Sequence, residues 1–129
     1  MKRNKDLIRD ILLFAGSKNG QFEMTFDENY DTDAGIDFPD YKTGDVVGHF
    51  KLLIDDDYID GEYFDIESGI ILSVSINSIT MKGYDLLDAI RDKGIWAEVK
   101  NELGVAGESW SLEVMAKLAI KILAKKVGL

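Results

Sequence analysis

Residues 42–80, KTGDVVGHFKLLIDDDYIDGEYFDIESGIILSVSINSIT, change their hydrophobic period midway, and that change decides the fold. Over 42–57, Val46, Val47, Phe50, Leu53 and Ile54 recur at three- and four-residue steps. Lys42, Asp45, His49, Lys51 and Asp56 are read as lying away from that stripe, which predicts an amphipathic helix. Asp60-Gly61 reads as a turn. Residues 62–66 and 70–76 then read as a β-hairpin turning at Glu67-Ser68-Gly69, with Ser73 and Ser75 opposite the Ile, Leu and Val positions. Thr80 is placed to cap a third helix from Met81 towards Asp92, with Tyr84, Leu87 and Ile90 inward. Gly83 in its first turn lets another backbone come close.

On the N-terminal side, Leu7, Ile8, Ile11 and Leu12 predict a helix over 4–15 with Asn4 as N-cap, and 21–26 alternates as a short strand. Residues 27–40 carry the one proline, Pro39, with Gly35 and six acidic side chains, and read as a loop. On the C-terminal side, Ile95, Trp96, Val99 and Leu103 continue an apolar stripe, and Ser111 can cap a last helix over 112–127. Helix, strand, helix, hairpin, helix is the order of a winged helix-turn-helix domain. The expected class is therefore α+β. A winged-helix-like domain spans 1–92, with an acidic loop where a middle helix belongs, and an α-helical extension over 93–129 packs on it as one globular unit.

The 129 residues suit one domain, and 46% hydrophobic with 30% charged residues describe a folded chain rather than a disordered one. With no cysteine, disulfides and thiolate chemistry are excluded; with His49 the single histidine, so are multi-histidine metal centres. No apolar run approaches the ~18 residues of a membrane span and no signal-peptide core opens the chain, so the expected compartment is the cytoplasm. The net charge of −9 is uneven: residues 23–65 hold fourteen carboxylates against Lys42 and Lys51, whereas 1–22 are basic and 66–129 balanced. A polyanion is a poor partner for such a middle third, because Lys and Arg supply most nucleic-acid affinity.

The blocks MKRNKDLIRDILL at the start, GHFKLLIDDDYIDG at 48–61, ITMKGYDLLDAIRDKGIWAEVKNEL at 79–103 and SWSLEVMAKLAIKILAKKVGL at 109–129 resemble, in that order and spacing, domain of unknown function 2513. This is a family of small proteins of bacteria and their phages. The resemblance covers most of the chain outside the acidic insertion and the hairpin tip. It implies a winged-helix-like fold and an association with mobile elements, and it implies no reaction. Its members more often carry a plainer, shorter segment where this chain has 27–40.

The expected function is that of a non-catalytic interaction module of a phage or mobile-element protein, an inhibitor or nucleic-acid mimic among the forms it could take. Its partner surfaces are the acidic 27–65 region, with Asp45, His49, Asp55, Asp56, Asp57 and Asp60, and the last helix. The alternative is a winged-helix transcriptional regulator with helix 42–57 in the groove. Lys2, Arg3, Lys5, Lys42, Thr43 and Lys51 would then meet DNA, which the charge disfavours. No cofactor is expected, and no enzyme: the phosphate-loop, dinucleotide and zinc-protease patterns are missing. Asn29, Asp31, Asp33, Ile36 and Asp40 fall at calcium-loop spacing, but the turn glycine is one place late and Pro39 stands where a helix should begin, so a solvated loop is the default. The last helix is apolar over more than half its circumference, which makes homodimerisation through 112–127 one way to cover it, and no membrane contact is expected.

Overall fold

The computed structural model describes residues 2–65, 69–105 and 110–128, without the side chain of Val105. The protein is α+β: α1 (Lys5–Gly16), β1 (Phe22–Thr25), α2 (Thr43–Asp55), β2 (Ile59–Asp65), β3 (Ile71–Ile79), α3 (Met81–Ile90), α4 (Lys93–Val105) and α5 (Leu112–Lys126). The strands form one antiparallel sheet in the order β1-β3-β2. Two compact units, 1–83 and 84–129, divide inside α3.

In the first unit, α1 begins where Asn4 accepts a hydrogen bond from the Leu7 N–H at 3.2 Å, satisfying an amide that the helix itself leaves open. Its buried face is Leu7, Ile8, Ile11, Leu12 and Ala15. α2 buries Val46, Val47, Phe50 and Leu53, and the sheet adds Ile59, Ile71, Val74, Ile76 and Ile79. The acidic loop contributes to the same core: Phe38 is 2% exposed, with its ring 5.2 Å from Phe14 and 6.1 Å from Phe50.

Asp60-Gly61 is a correction to the sequence reading. It lies within β2, where the register against β3 shifts, and not in a turn. A strand glycine marks a bulge or a close backbone approach. Here a Cβ on Gly61 would stand 2.6 Å from the Ser75 carbonyl oxygen. The hairpin residues Glu67 and Ser68 lie outside the described residues; Gly69 has φ +79°, as a turn glycine can.

The entry to α3 follows its expected chemistry. Thr80 accepts from the Gly83 N–H at 3.0 Å and donates to the Asp57 carbonyl, while its own N–H donates to Tyr58 O at 3.2 Å. Gly83 faces that Tyr58 carbonyl so closely that a Cβ would collide with it and with Ile79.

In the second unit, Ile95, Trp96, Val99 and Leu103 of α4 are buried, as are Leu112, Met115, Ala116 and Ala119 of α5. Asp92 starts α4 by accepting from the Ile95 N–H at 2.9 Å, a bond that holds its carboxyl below the usual range. Ser111 starts α5 by accepting from the Val114 N–H at 3.1 Å. Tyr84, expected inward, is 44% exposed; Leu86, Leu87, Ala89 and Ile90 are the buried positions of α3.

Gly83→Ala places its methyl against a backbone carbonyl that cannot turn aside as a side chain could. The expected loss is about 2–3 kcal/mol, the upper range for overpacking. It is read as a lower urea midpoint with an unchanged slope.

Candidate interaction surface

All fourteen carboxylate residues of 23–65 are exposed, and the loop carrying six of them is held by its backbone and aromatic residues. Lys42, the N-cap position of α2, makes no side-chain cap. The helix instead donates Thr43 N–H to Thr32 O (2.8 Å) and Gly44 N–H to Tyr30 O (3.0 Å). These bonds answer the orphan amides of the first turn. Thr43 is 2% exposed, its hydroxyl 3.0 Å from that of Thr32. Ala34 N–H donates to Tyr41 O at 2.9 Å, and Asp33 bridges Lys42. The Tyr30 hydroxyl donates to Ile71 O at 3.0 Å and accepts from Ile71 N–H at 2.6 Å, tying the loop to the start of β3. Tyr41 donates to Asp10 at 3.0 Å; partial burial, then that neighbouring carboxylate, push its hydroxyl well above the usual range. At the tip, Gly35 (φ +94°) is followed by Ile36, 93% exposed.

The far end of α2 carries Asp55-Asp56-Asp57. Tyr58 N–H donates to Leu53 O at 2.9 Å and Asp57 N–H to Ile54 O at 3.1 Å, with Asp57 at φ +63°. That is a Schellman closure whose left-handed position is usually glycine. Aspartate there meets a steric cost of roughly 1 kcal/mol, and all three carboxylates face the negative end of the helix dipole. Asp55 accepts from the Tyr63 hydroxyl at 2.9 Å, which raises the tyrosine's pKa. The Asp56 and Asp57 side chains are exposed, while their carbonyls are used by Lys82 and Thr80.

Two site residues expected to face outward are buried, which corrects the sequence reading. His49 is 0% exposed: its Nε2 accepts from the Asn4 N–H at 2.8 Å, so Nδ1 carries the proton and donates to Asp45 O at 2.7 Å. Thr43 is occupied by the loop, as described above. Asp45, Asp55, Asp56, Asp57 and Asp60 are exposed, but Asp45 and Asp55 stand ten residues apart on α2, about 15 Å along its axis. They do not form one cluster with His49.

The basic residues divide differently. Lys42 pairs with Asp33 at 2.9 Å, and Lys51 lies 5.7 Å from the Tyr63 ring centroid, so both α2 lysines are engaged by the protein's own groups. Lys2 and Arg3 are exposed and Lys5 half-exposed, and the Asn4–His49 bond brings this segment to the middle of α2. In the calcium-spaced segment, Asn29 turns its side-chain oxygen to the Asp31 N–H (3.2 Å), and Ile36 points to solvent. Among the described residues no group of three or more His, Asp and Glu side chains is placed to hold a metal ion, and no helix is long and apolar enough to cross a membrane.

These features describe an α+β protein whose exposed carboxylates of 23–65 are spread over the loop before α2, both ends of that helix and the strands beside it. The chain belongs to the DUF2513 family: residues 2–109 match the family described as hypothetical protein (DUF2513). A relative from Haemophilus influenzae, described as an uncharacterized protein, is 32% identical over 128 residues, covering 99% of this chain and 100% of the relative. No solved structure matches the chain.

The buried histidine sets a pH dependence. Burial lowers its pKa from the ordinary 6.5, against the opposing pull of Asp45. Above about pH 6.5 both folded and unfolded chains are neutral at this ring, and its contribution is complete. As pH falls below that, the unfolded chain takes up the proton first, so stability is lost until the lowered folded pKa is passed. The urea midpoint is expected to fall between about pH 7 and pH 5, and His49→Gln, which keeps an acceptor for Asn4, should flatten that limb. An identical pH slope in wild type and variant would exclude the histidine as its source.

Proposed function

We propose that the protein is a non-catalytic interaction module of winged-helix type, and that the acidic face of 27–65 docks on a basic partner as an inhibitor or a mimic of nucleic-acid charge. The winged-helix reading is supported by the order α1-β1-α2-β2-β3-α3 and by the pairing of β1 with β3 in a three-stranded sheet. In that element order the acidic loop takes the place in sequence of the middle helix.

One observation carries the docking reading: Asp55-Asp56-Asp57 are placed against local preference. A run of three carboxylates opposes the helix dipole, and one of them occupies a left-handed position. Asp55 is answered by the Tyr63 hydroxyl, so Asp56 and Asp57 carry the argument, since residues that break local rules are expected at functional sites. The loop supports the reading too, since its carboxylates are presented on a bonded backbone with Ile36 as an apolar contact at the tip. A preorganised face loses less entropy on binding than a disordered acidic tail.

The triple replacement Asp55→Asn, Asp56→Asn, Asp57→Asn removes the charge and keeps a residue tolerant of the left-handed conformation. The expected outcome is a melting temperature equal to or above wild type. Association with a basic partner captured from nuclease-treated lysate should slow by about tenfold or more, with a flatter salt dependence. Unchanged association kinetics would reject the docking reading.

A second reading, DNA binding through α2, is favoured by the exposed Lys2 and Arg3 held beside that helix by the Asn4–His49 bond. Against it stand the covered first turn and the two engaged lysines of α2. Under the docking reading, random duplex in low salt is expected to remain unshifted by micromolar protein. A shift that weakens steeply with added salt would establish the regulator instead.

A further inference from the structure

We propose that a second copy of this chain covers the groove between α4 and α5, related by a two-fold axis running along the groove. The groove has a volume of about 530 Å³. Leu118 and Ile122 are half-buried on its α5 side, and Val114, one turn before Leu118, continues the apolar strip at 49% exposure. Glu98, Asn101 and Glu102 of α4 form one wall, and Lys121, Lys125 and Lys126 of α5 form the other, with Lys126 reaching across to Glu98 at 3.7 Å within the chain. The walls therefore have opposite signs, and the floor is apolar.

That arrangement is self-complementary for one symmetry only. An axis lying along the groove in the plane of contact carries each wall onto the opposite wall, so Glu102 of one copy, with Glu98 already shared with its own Lys126, faces the Lys121 and Lys125 wall of the second. An axis across the groove would set lysine on lysine and glutamate on glutamate. Closed two-fold pairing is the commonest homo-oligomeric solution, and like charges in contact are costly. Net charge points to the same unit: residues 84–129 hold seven basic and seven acidic side chains, whereas 1–83 hold eight and seventeen. Two copies can approach through the neutral unit without the repulsion that would separate two acidic faces.

Sedimentation of the full chain tests this with two charge-reversed variants on exposed positions. Wild type is expected to dimerise. Lys121→Glu with Lys125→Glu makes both walls acidic, and Glu98→Lys with Glu102→Lys makes both basic. Each variant alone should dissociate about tenfold or more easily, and an equimolar mixture should recover a heterodimer. A wild type that remains monomeric at about 100 μM, weaker than any useful dimer constant for this surface, would overturn the proposal and leave the groove to another occupant. Dimers unaffected by either reversal, or a mixture that fails to recover association, would overturn it as well.

Discussion

The first turn of α2 donates two backbone N–H groups to carbonyls of the acidic loop, and the arrangement of the first unit depends on that attachment. A loop with six carboxylates has little reason of its own to lie against a protein. Phe38 supplies one by burying its ring between Phe14 and Phe50, worth about 2–3 kcal/mol for a large apolar side chain. Tyr30 supplies another through its paired hydrogen bonds to Ile71, each contributing about 1 kcal/mol net. The carboxylates are consequently carried on a fixed backbone. The same attachment uses the helix N-terminus, so the amides that elsewhere receive phosphate are taken up by the protein's own carbonyls.

His49 performs a related task in the middle of α2. It joins the N-cap residue of α1 to the middle of α2, and the neutral tautomer is the one that satisfies both of its partners. The sequence reading sets it outward, yet it stands three residues after Val46 and four before Leu53, which is a position on the buried stripe. Thr43, three residues before Val46, shares that stripe and is buried too, although its polarity alone suggests an outward position. A polar side chain on an apolar stripe is inward when a backbone group is within reach to satisfy it. Asn4 N–H and Asp45 O do this for His49, and Asn4 lies 45 residues away in sequence, beyond any local pattern.

Helices 4–15, 42–57 and 112–127 and the strand at 21–26 were legible to within about two residues because each has a clear apolar stripe or a capping residue. The Thr80–Gly83 entry to α3 was legible for the same reason: Thr80 supplies the cap, and only a glycine admits the Tyr58 carbonyl. Asp60-Gly61 was not, because the dipeptide that marks a turn also suits a bulge, and only the partner strand decides between them. Of the candidate surface, the charge was visible and its support was not. Tyr30 and Phe38 were the available signals, two aromatic residues within an otherwise polar acidic loop, and both proved to be its anchors.

The two units also differ in what they can offer a partner. The first carries the whole net charge of −9, and the second is neutral with a groove of opposed walls. Charge of one sign attracts at range and sets association rates, whereas matched walls over an apolar floor fix register at contact. Each of these offers rests on residues of one unit alone. Net charge and opposed walls are thus carried by different residues, so reversing the groove charges leaves the fourteen carboxylates of 23–65 untouched.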